Sequence, residues 1–157
     1  MGILLRDFKP GDFESINILM NQVHKLHLEN RPDVYVEIDS PLSENDFNNI
    51  VQDQNSIAIL AEDNDEILGF CIVTIRQPSK NPVLVPRKIA YMEDLCVRQD
   101  YQKKGLGKQL YTEVLNRSKS FGVDSLELMV WSFNEGAIEF YKNMGMAPKS
   151  YIMEFKL

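Results

Sequence analysis

Between residues 102 and 108 the chain reads QKKGLGK: Gln102, Lys103, Lys104, Gly105, Leu106, Gly107 and Lys108. Three ammonium groups and two glycines this close together suit one chemical task, holding an anion. Glycine lets a phosphate approach the main chain closely. Where a helix begins at such a loop, its free N–H groups and its dipole add about half a positive charge. A lysine-rich, solvated helix start explains the same residues, so the loop alone leaves both readings open. Just upstream, IAYMEDLCV (89–97) sets Glu93 and Asp94 inside an apolar, strand-like run. Carboxylates in such a run are costly unless paired, and burial raises their pKa, which makes both candidate bases. Strict alternation puts Ile89, Tyr91, Glu93, Leu95 and Val97 on one face and Ala90, Met92, Asp94 and Cys96 on the other.

Two phosphate-loop patterns fail on this loop. A P-loop needs Ser or Thr after Gly-Lys, and here Gln109 follows Gly107-Lys108. The dinucleotide fingerprint needs a third glycine where Leu110 stands. No Ser/His/Asp or Cys/His arrangement for nucleophilic catalysis is visible either. His24 and His27 fall on one helix three residues apart, but no third ligand suggests itself, and no metal is expected.

The elements that must position these groups follow from the pattern. ILLRDF (3–8) is a first strand, broken at Pro10-Gly11-Asp12. Ile16, Leu19, Met20, Val23 and Leu26 follow at helical spacing, and that helix ends near Asn30-Arg31-Pro32. Ser43 with Asp46 marks a second helix through about Val51. SIAILAED (56–63) and EILGFCIVTIR (66–76), joined at Asn64-Asp65, form an antiparallel hairpin. After strand 88–97 and the glycine loop, a helix carrying Leu106, Leu110, Val114 and Leu115 stops at Gly122. SLELMVW (125–131) is a strand, NEGAIEFYKNM (134–144) a helix that Asn134 can cap, and SYIMEFKL (150–157) a last strand. The order β-α-α-β-β-β-α-β-α-β predicts an α/β (α+β) fold with a mixed, mostly antiparallel central sheet and helices on both faces.

Composition narrows the class. The 157 residues, 44% hydrophobic and 25% charged, fit one soluble domain spanning 1–157. No apolar stretch approaches the roughly 18 residues of a membrane span. MGILLRDFKPGDFE lacks the basic stretch and long apolar block of a secretory signal, and Cys71 and Cys96 read as buried reduced thiols, so a cytoplasmic protein is expected. A net charge of −6 argues against nucleic acid as a partner. Residues 29–53 hold seven acids against the single base Arg31, so this segment carries the entire imbalance.

Taken together, residues 89–145 resemble the GNAT superfamily of acetyl-CoA-dependent N-acetyltransferases. Gln102-x-x-Gly105-x-Gly107 matches its phosphate loop, IAYMEDLCV its preceding strand, and the segment from Asn134 to Gly145 its N-x-x-A-x-x-F-Y-x-x-x-G motif. The resemblance implies that residues 102–108 grip the pyrophosphate of coenzyme A. It also implies that the pantetheine arm lies along strand 89–97, bonding backbone around Leu95 and Val97, with Cys96 and Asn134 beside it. In the family, a glutamate at the place of Glu93 deprotonates the amine, and the tyrosine at Tyr141 protonates the departing thiolate. Backbone N–H groups near Leu95 would stabilise the oxyanion.

The implied reaction is direct acetyl transfer from acetyl-CoA to a primary amine in a ternary complex. The alternative is a non-catalytic coenzyme-A-binding sensor or interaction module on the same fold. In the family, residues of about 10–55 form much of the acceptor site and about 89–145 the cofactor core. The acidic segment then favours a cationic acceptor, a polyamine-like or amino-sugar amine or an amine of a peptide; a solvated acidic surface explains the same residues. Many relatives end in a two-strand hairpin after the motif closing at Gly145. This chain has room for a single strand, and a homodimer covering the open sheet edge is the expectation that follows.

Overall fold

The structure, a computed structural model, describes residues 2–157. Its elements are β1 (Leu4–Asp7), α1 (Phe13–Asn30), α2 (Glu44–Gln52), β2 (Ser56–Asp63), β3 (Glu66–Arg76), β4 (Ile89–Val97), α3 (Leu106–Lys119), β5 (Ser125–Leu128) and α4 (Glu135–Asn143). One five-stranded sheet runs in the order β1-β2-β3-β4-β5, antiparallel throughout except for the parallel β4–β5 pair. This is the mixed, mostly antiparallel sheet expected from the sequence, with helices on both faces.

Local chemistry explains the boundaries. Asn64 and Asp65 both take positive φ, 50° and 65°, the left-handed pair that a two-residue hairpin needs to match strand twist. Ser43 Oγ accepts from the Asp46 N–H at 3.0 Å and starts α2. Gly145, at φ +98°, closes α4: its N–H reaches Lys142 O at 3.0 Å while Met146 N–H reaches Tyr141 O at 3.0 Å. That paired closure fixes the C-terminal turn in which Tyr141 sits.

The strands alternate between two cores. Ile57, Ile59, Ala61, Cys71, Val73 and Ile75 face α3, meeting Leu106, Leu110 and Val114, with Phe140 and Tyr141 of α4 packed at the edge. Leu60, Phe70 and Ile72 face the other way, against Ile16 and Leu19 of α1 and Phe47 of α2. Phe8 stacks on Phe47 with centroids 5.5 Å apart, tying β1's end to α2.

Two strand expectations fail, and each failure has a cause. β5 stops at Leu128 rather than Trp131, because its pairing with β4 ends at Met92↔Leu128. Beyond that point the two strands part, and 129–131 lose their partner. The last strand, 150–157, does not form: these residues are irregular and exposed, and among the described residues none of their backbone groups is hydrogen-bonded. A strand exists only with a neighbour, and within one copy this segment has none.

Candidate functional site

β4 carries a bulge at Glu93. Val73 pairs with Met92 and Ile72 with Asp94, so Glu93 is the extra residue. Strict alternation therefore breaks there, a correction to the faces read from the sequence. Met92 packs with the α3-side core, as do Leu95 and Val97 after the bulge, whereas Cys96 joins the opposite core. The predicted partners Met92 and Cys96 lie on opposite faces.

The bulge separates the two carboxylates. Glu93 opens to solvent, its side chain 40% exposed and 3.9 Å from the Arg76 guanidinium. Arg76 in turn lies 3.6 Å above the Tyr91 ring, a cation–π contact that holds it in place. Asp94 is drawn inward. Burial, with the neighbouring Glu93 charge added, pushes its carboxyl up to about 7. A carboxyl at that value is divided between its two forms at neutral pH, which suits proton exchange.

Tyr141 Oη donates to Met92 Sδ at 3.8 Å, which places α4 over β4 beside the bulge. Burial, followed by the nearby Cys71 and Asp94, raises its phenol, so it keeps its proton at neutral pH. Cys96 is pushed up to about 12, first by burial and then by Asp94, so its thiol is inert. Cys71 is raised for the same reasons. Asn134 caps α4, accepting from the Ala137 N–H at 3.2 Å.

From Glu93 to Val97, β4 runs on past the last β5 pairing. At its end stands the glycine loop. Gly105, at φ +85°, is the N-terminal cap residue of α3 and offers no side chain to satisfy the helix. The N–H groups of Leu106, Gly107 and Lys108 have no acceptor among the described residues, the first helical bond being Gln109 N–H to Gly105 O at 3.2 Å. Lys103 also takes the left-handed conformation, at φ 63°. Lys103, Lys104 and Lys108 are exposed around these donors. A Cβ on Gly107 would stand 3.4 Å from the Phe140 ring, so this glycine also lets α3 and α4 approach. An open hollow of about 520 Å³ borders Gly105, Lys108 and Gln109. A second hollow of about 410 Å³, between α2 and the end of α3, holds none of the predicted residues.

Gln102 is not part of the donor cluster. Its Nε2 donates to Val97 O at 3.1 Å, joining the loop to the end of β4. Gln22 of α1, which no sequence pattern marked, does more of the same work. Its Nε2 donates to Val97 O at 2.9 Å and its Oε1 accepts from the Gln99 N–H at 3.0 Å. The Val97 carbonyl is thus occupied, which moves the expected backbone pairing of a ligand toward Leu95.

An aromatic group also escaped sequence reasoning. The His27 ring stacks on Tyr35 at 5.0 Å, and Trp131 Nε1 donates to Tyr35 Oη at 2.8 Å. Phe133 stacks on Trp131 at 6.2 Å, and the Arg31 guanidinium lies 4.8 Å over the Trp131 ring. Burial, then His24, lowers the His27 pKa and keeps that ring neutral. His24 Nε2 sits 2.8 Å from Val36 O, so both histidines hold the 31–43 loop against α1. The i, i+3 spacing of the two histidines and the lone tryptophan were the available signals; their meeting through Tyr35 needed the fold.

A helix N-terminus rich in free donors thus stands at the end of an unpaired strand edge that carries two carboxylates, with a partly buried tyrosine beside them. The chain matches the Acetyltransferase (GNAT) family over residues 20–146 and belongs to it. It is similar to L-ornithine N5-acetyltransferase NATA1 of Arabidopsis thaliana, 29% identical over 109 residues, covering 69% of this chain and 43% of that protein. The chain spans less than half the length of the curated relatives it matches. Among solved structures, a mutant of the BH1408 protein from Bacillus halodurans is 28% identical with a TM-score of 0.95, over 98% of this chain and 99% of that one. An aminoglycoside N-acetyltransferase in complex with CoA shares the fold at 14% identity, TM-score 0.76, over 99% of this chain and 95% of that one.

Proposed function

We propose that this protein is an N-acetyltransferase that moves an acetyl group from acetyl-CoA directly to a primary amine in a ternary complex. The observation that carries the reading is the stretch of β4 from Glu93 to Val97, left unpaired by β5 and leading from the carboxylates to the α3 N-terminus. The pyrophosphate of the cosubstrate is held by the N–H groups of Leu106, Gly107 and Lys108 and by the charges of Lys103, Lys104 and Lys108. Gly105 and Gly107 keep that approach open. The pantetheine arm pairs along the edge near Leu95, with Cys96, Val97 and Asn134 flanking it, and Gln102 fixes the loop to Val97.

Glu93, the carboxylate that reaches solvent at the bulge, takes the proton from the incoming ammonium. Asp94 behind it supplies a second negative charge once ionised and holds the cation in place. Tyr141 gives its proton to the departing thiolate. A thiol leaves readily if its pKa resembles the value of about 8.5 for cysteine, so this help is modest. The acceptor is a small cationic amine, in the class of the ornithine that the Arabidopsis relative's name specifies. The acidic segment 29–53 offers such a cation an attractive field. A cytoplasmic setting and a homodimer complete the reading, supported by two buried free cysteines and an uncovered sheet edge.

Calorimetry with acetyl-CoA, ATP and NAD tests the cosubstrate assignment. Binding of acetyl-CoA alone, weakened by Gly105→Val, is the expected result. Equal or tighter binding of ATP or NAD would refute it.

A further inference from the structure

Arg76, the last residue of β3, is the one arginine that donates no side-chain hydrogen bond among the described residues. Arg6, Arg31, Arg87, Arg98 and Arg117 each donate one of 3.0 Å or less to a neighbouring side chain. The charge partner of Arg76 is Glu93, 3.9 Å away, with the two side chains 55% and 40% exposed, an ion pair that contributes little by itself. Yet the guanidinium is not loose, because it lies 3.6 Å from the centre of the Tyr91 ring. A guanidinium set over a ring presents its face to the ring and keeps its N–H edges free. Register places these groups on one open shelf. Arg76 pairs with Ile89 and Thr74 with Tyr91, on the face opposite Val73 and Ile75, which enter the α3-side core. On this face Ile72 is the last β3 residue within the opposite core; past it, Thr74 and Tyr91 are half-buried, and Arg76 and Glu93 are exposed.

We propose that Arg76 binds a carboxylate of the acceptor, so that the substrate is an amino acid acetylated on its side-chain amine. This rests on the amine acceptor and the role of Glu93 in the proposed function, and it narrows the substrate class. A fixed cation beside the base repels the ammonium that the base must receive, and it becomes favourable only when the substrate brings an anion to it. A carboxylate takes two parallel N–H bonds from one guanidinium edge, the edge that Arg76 leaves free. Spacing selects which amine reacts. An amine paired with Glu93 and a carboxylate paired with Arg76 follow the 3.9 Å between those groups, wider than the α-amine and carboxylate of one amino acid span. The reacting amine is therefore the one on the side chain. The α-ammonium keeps such a substrate net cationic, in agreement with the acidic segment 29–53.

Calorimetry on the protein saturated with coenzyme A tests it, with ornithine and with 1,4-diaminobutane, the same diamine without the carboxylate. Wild type is expected to bind ornithine. Arg76→Gln should weaken ornithine about tenfold or more, because the carboxylate loses its partner. The same variant should bind 1,4-diaminobutane as tightly or more tightly, since a repelling cation has gone. Arg76→Lys keeps the charge without the planar fork and should restore ornithine only in part. Circular dichroism of both variants should match wild type, as this side chain enters neither core. Both ligands weakening together would show that Arg76 only shapes the site and would overturn the proposal. So would an ornithine affinity that Arg76→Gln leaves unchanged, or a wild type that does not bind ornithine. Thiol release from acetyl-CoA separates this proposal from the reaction it rests on. The ornithine shift without thiol release refutes acetyl transfer and retains the carboxylate site. Release with both diamines, equally efficient in wild type and Arg76→Gln, retains transfer and overturns the carboxylate site.

Discussion

Asp94 and Glu93 are neighbours in sequence with opposite environments, and that difference sets their expected behaviour. Asp94, raised to about 7, binds a proton in the native state that the unfolded chain has already released between about pH 4 and 7. Native stability attributable to it therefore falls as pH rises through that window. Asp94→Asn should raise stability at pH 8 by roughly 1–2 kcal/mol and do little at pH 4, read by urea unfolding at both values. In the same variant, the rise of kcat/KM with pH near 7 should disappear. Tyr141→Phe should lower kcat about tenfold with KM for acetyl-CoA unchanged, since in the proposed mechanism the phenol serves a leaving group that departs readily. The candidates themselves were legible: a paired Glu-Asp in an apolar strand and a tyrosine in a motif-like helix. What separates them was not, because a bulge is set by β3 as much as by β4, and no pattern in IAYMEDLCV announces it.

At the scale of elements, turn chemistry was the most readable signal. Asn64-Asp65, Ser43 and Gly145 each act locally, and each marks the boundary it was expected to mark, whereas α3 already ends at Lys119, ahead of Gly122. Strand lengths depend on partners far away in sequence, which is why β5 ended early and 150–157 stayed irregular. The glycine loop combines both kinds of constraint. Gly105 holds φ +85° where a Cβ meets no atom within 4 Å, so a substitution there is limited by backbone strain and not by packing. Gly105→Ala should cost about 1 kcal/mol of stability and weaken acetyl-CoA more than it weakens the fold, measured by unfolding and calorimetry on the same sample. Gln22→Ala, which releases both Val97 O and the Gln99 N–H, should raise KM for acetyl-CoA by loosening the joint between β4 and the loop.

Over the whole molecule, the helices on the two faces are joined to the sheet by separate cores, and one ion-pair cluster locks the first strand in place. Arg6 donates to Asp12 at 2.8 and 3.0 Å and to Glu62 at 2.9 and 3.2 Å, tying β1 to β2 and to the start of α1. Burial alone would raise Asp12; Arg6 and the Lys9 N–H overrule it and hold the carboxyl below its ordinary value. Its contribution is therefore present above about pH 4 and lost as pH falls below that. Arg6→Ala should cost about 2–3 kcal/mol at neutral pH, leaving a partly buried carboxylate unpaired, and denaturant midpoints will show it. The central claim, however, concerns the reaction. Release of free thiol from acetyl-CoA should be followed with ornithine, a polyamine, an amino sugar and a lysine peptide, comparing wild type with Glu93→Gln and Tyr141→Phe. The account predicts thiol release that depends on a cationic amine and falls in both variants. Binding of acetyl-CoA with no release for any amine, or release indifferent to both substitutions, would contradict it.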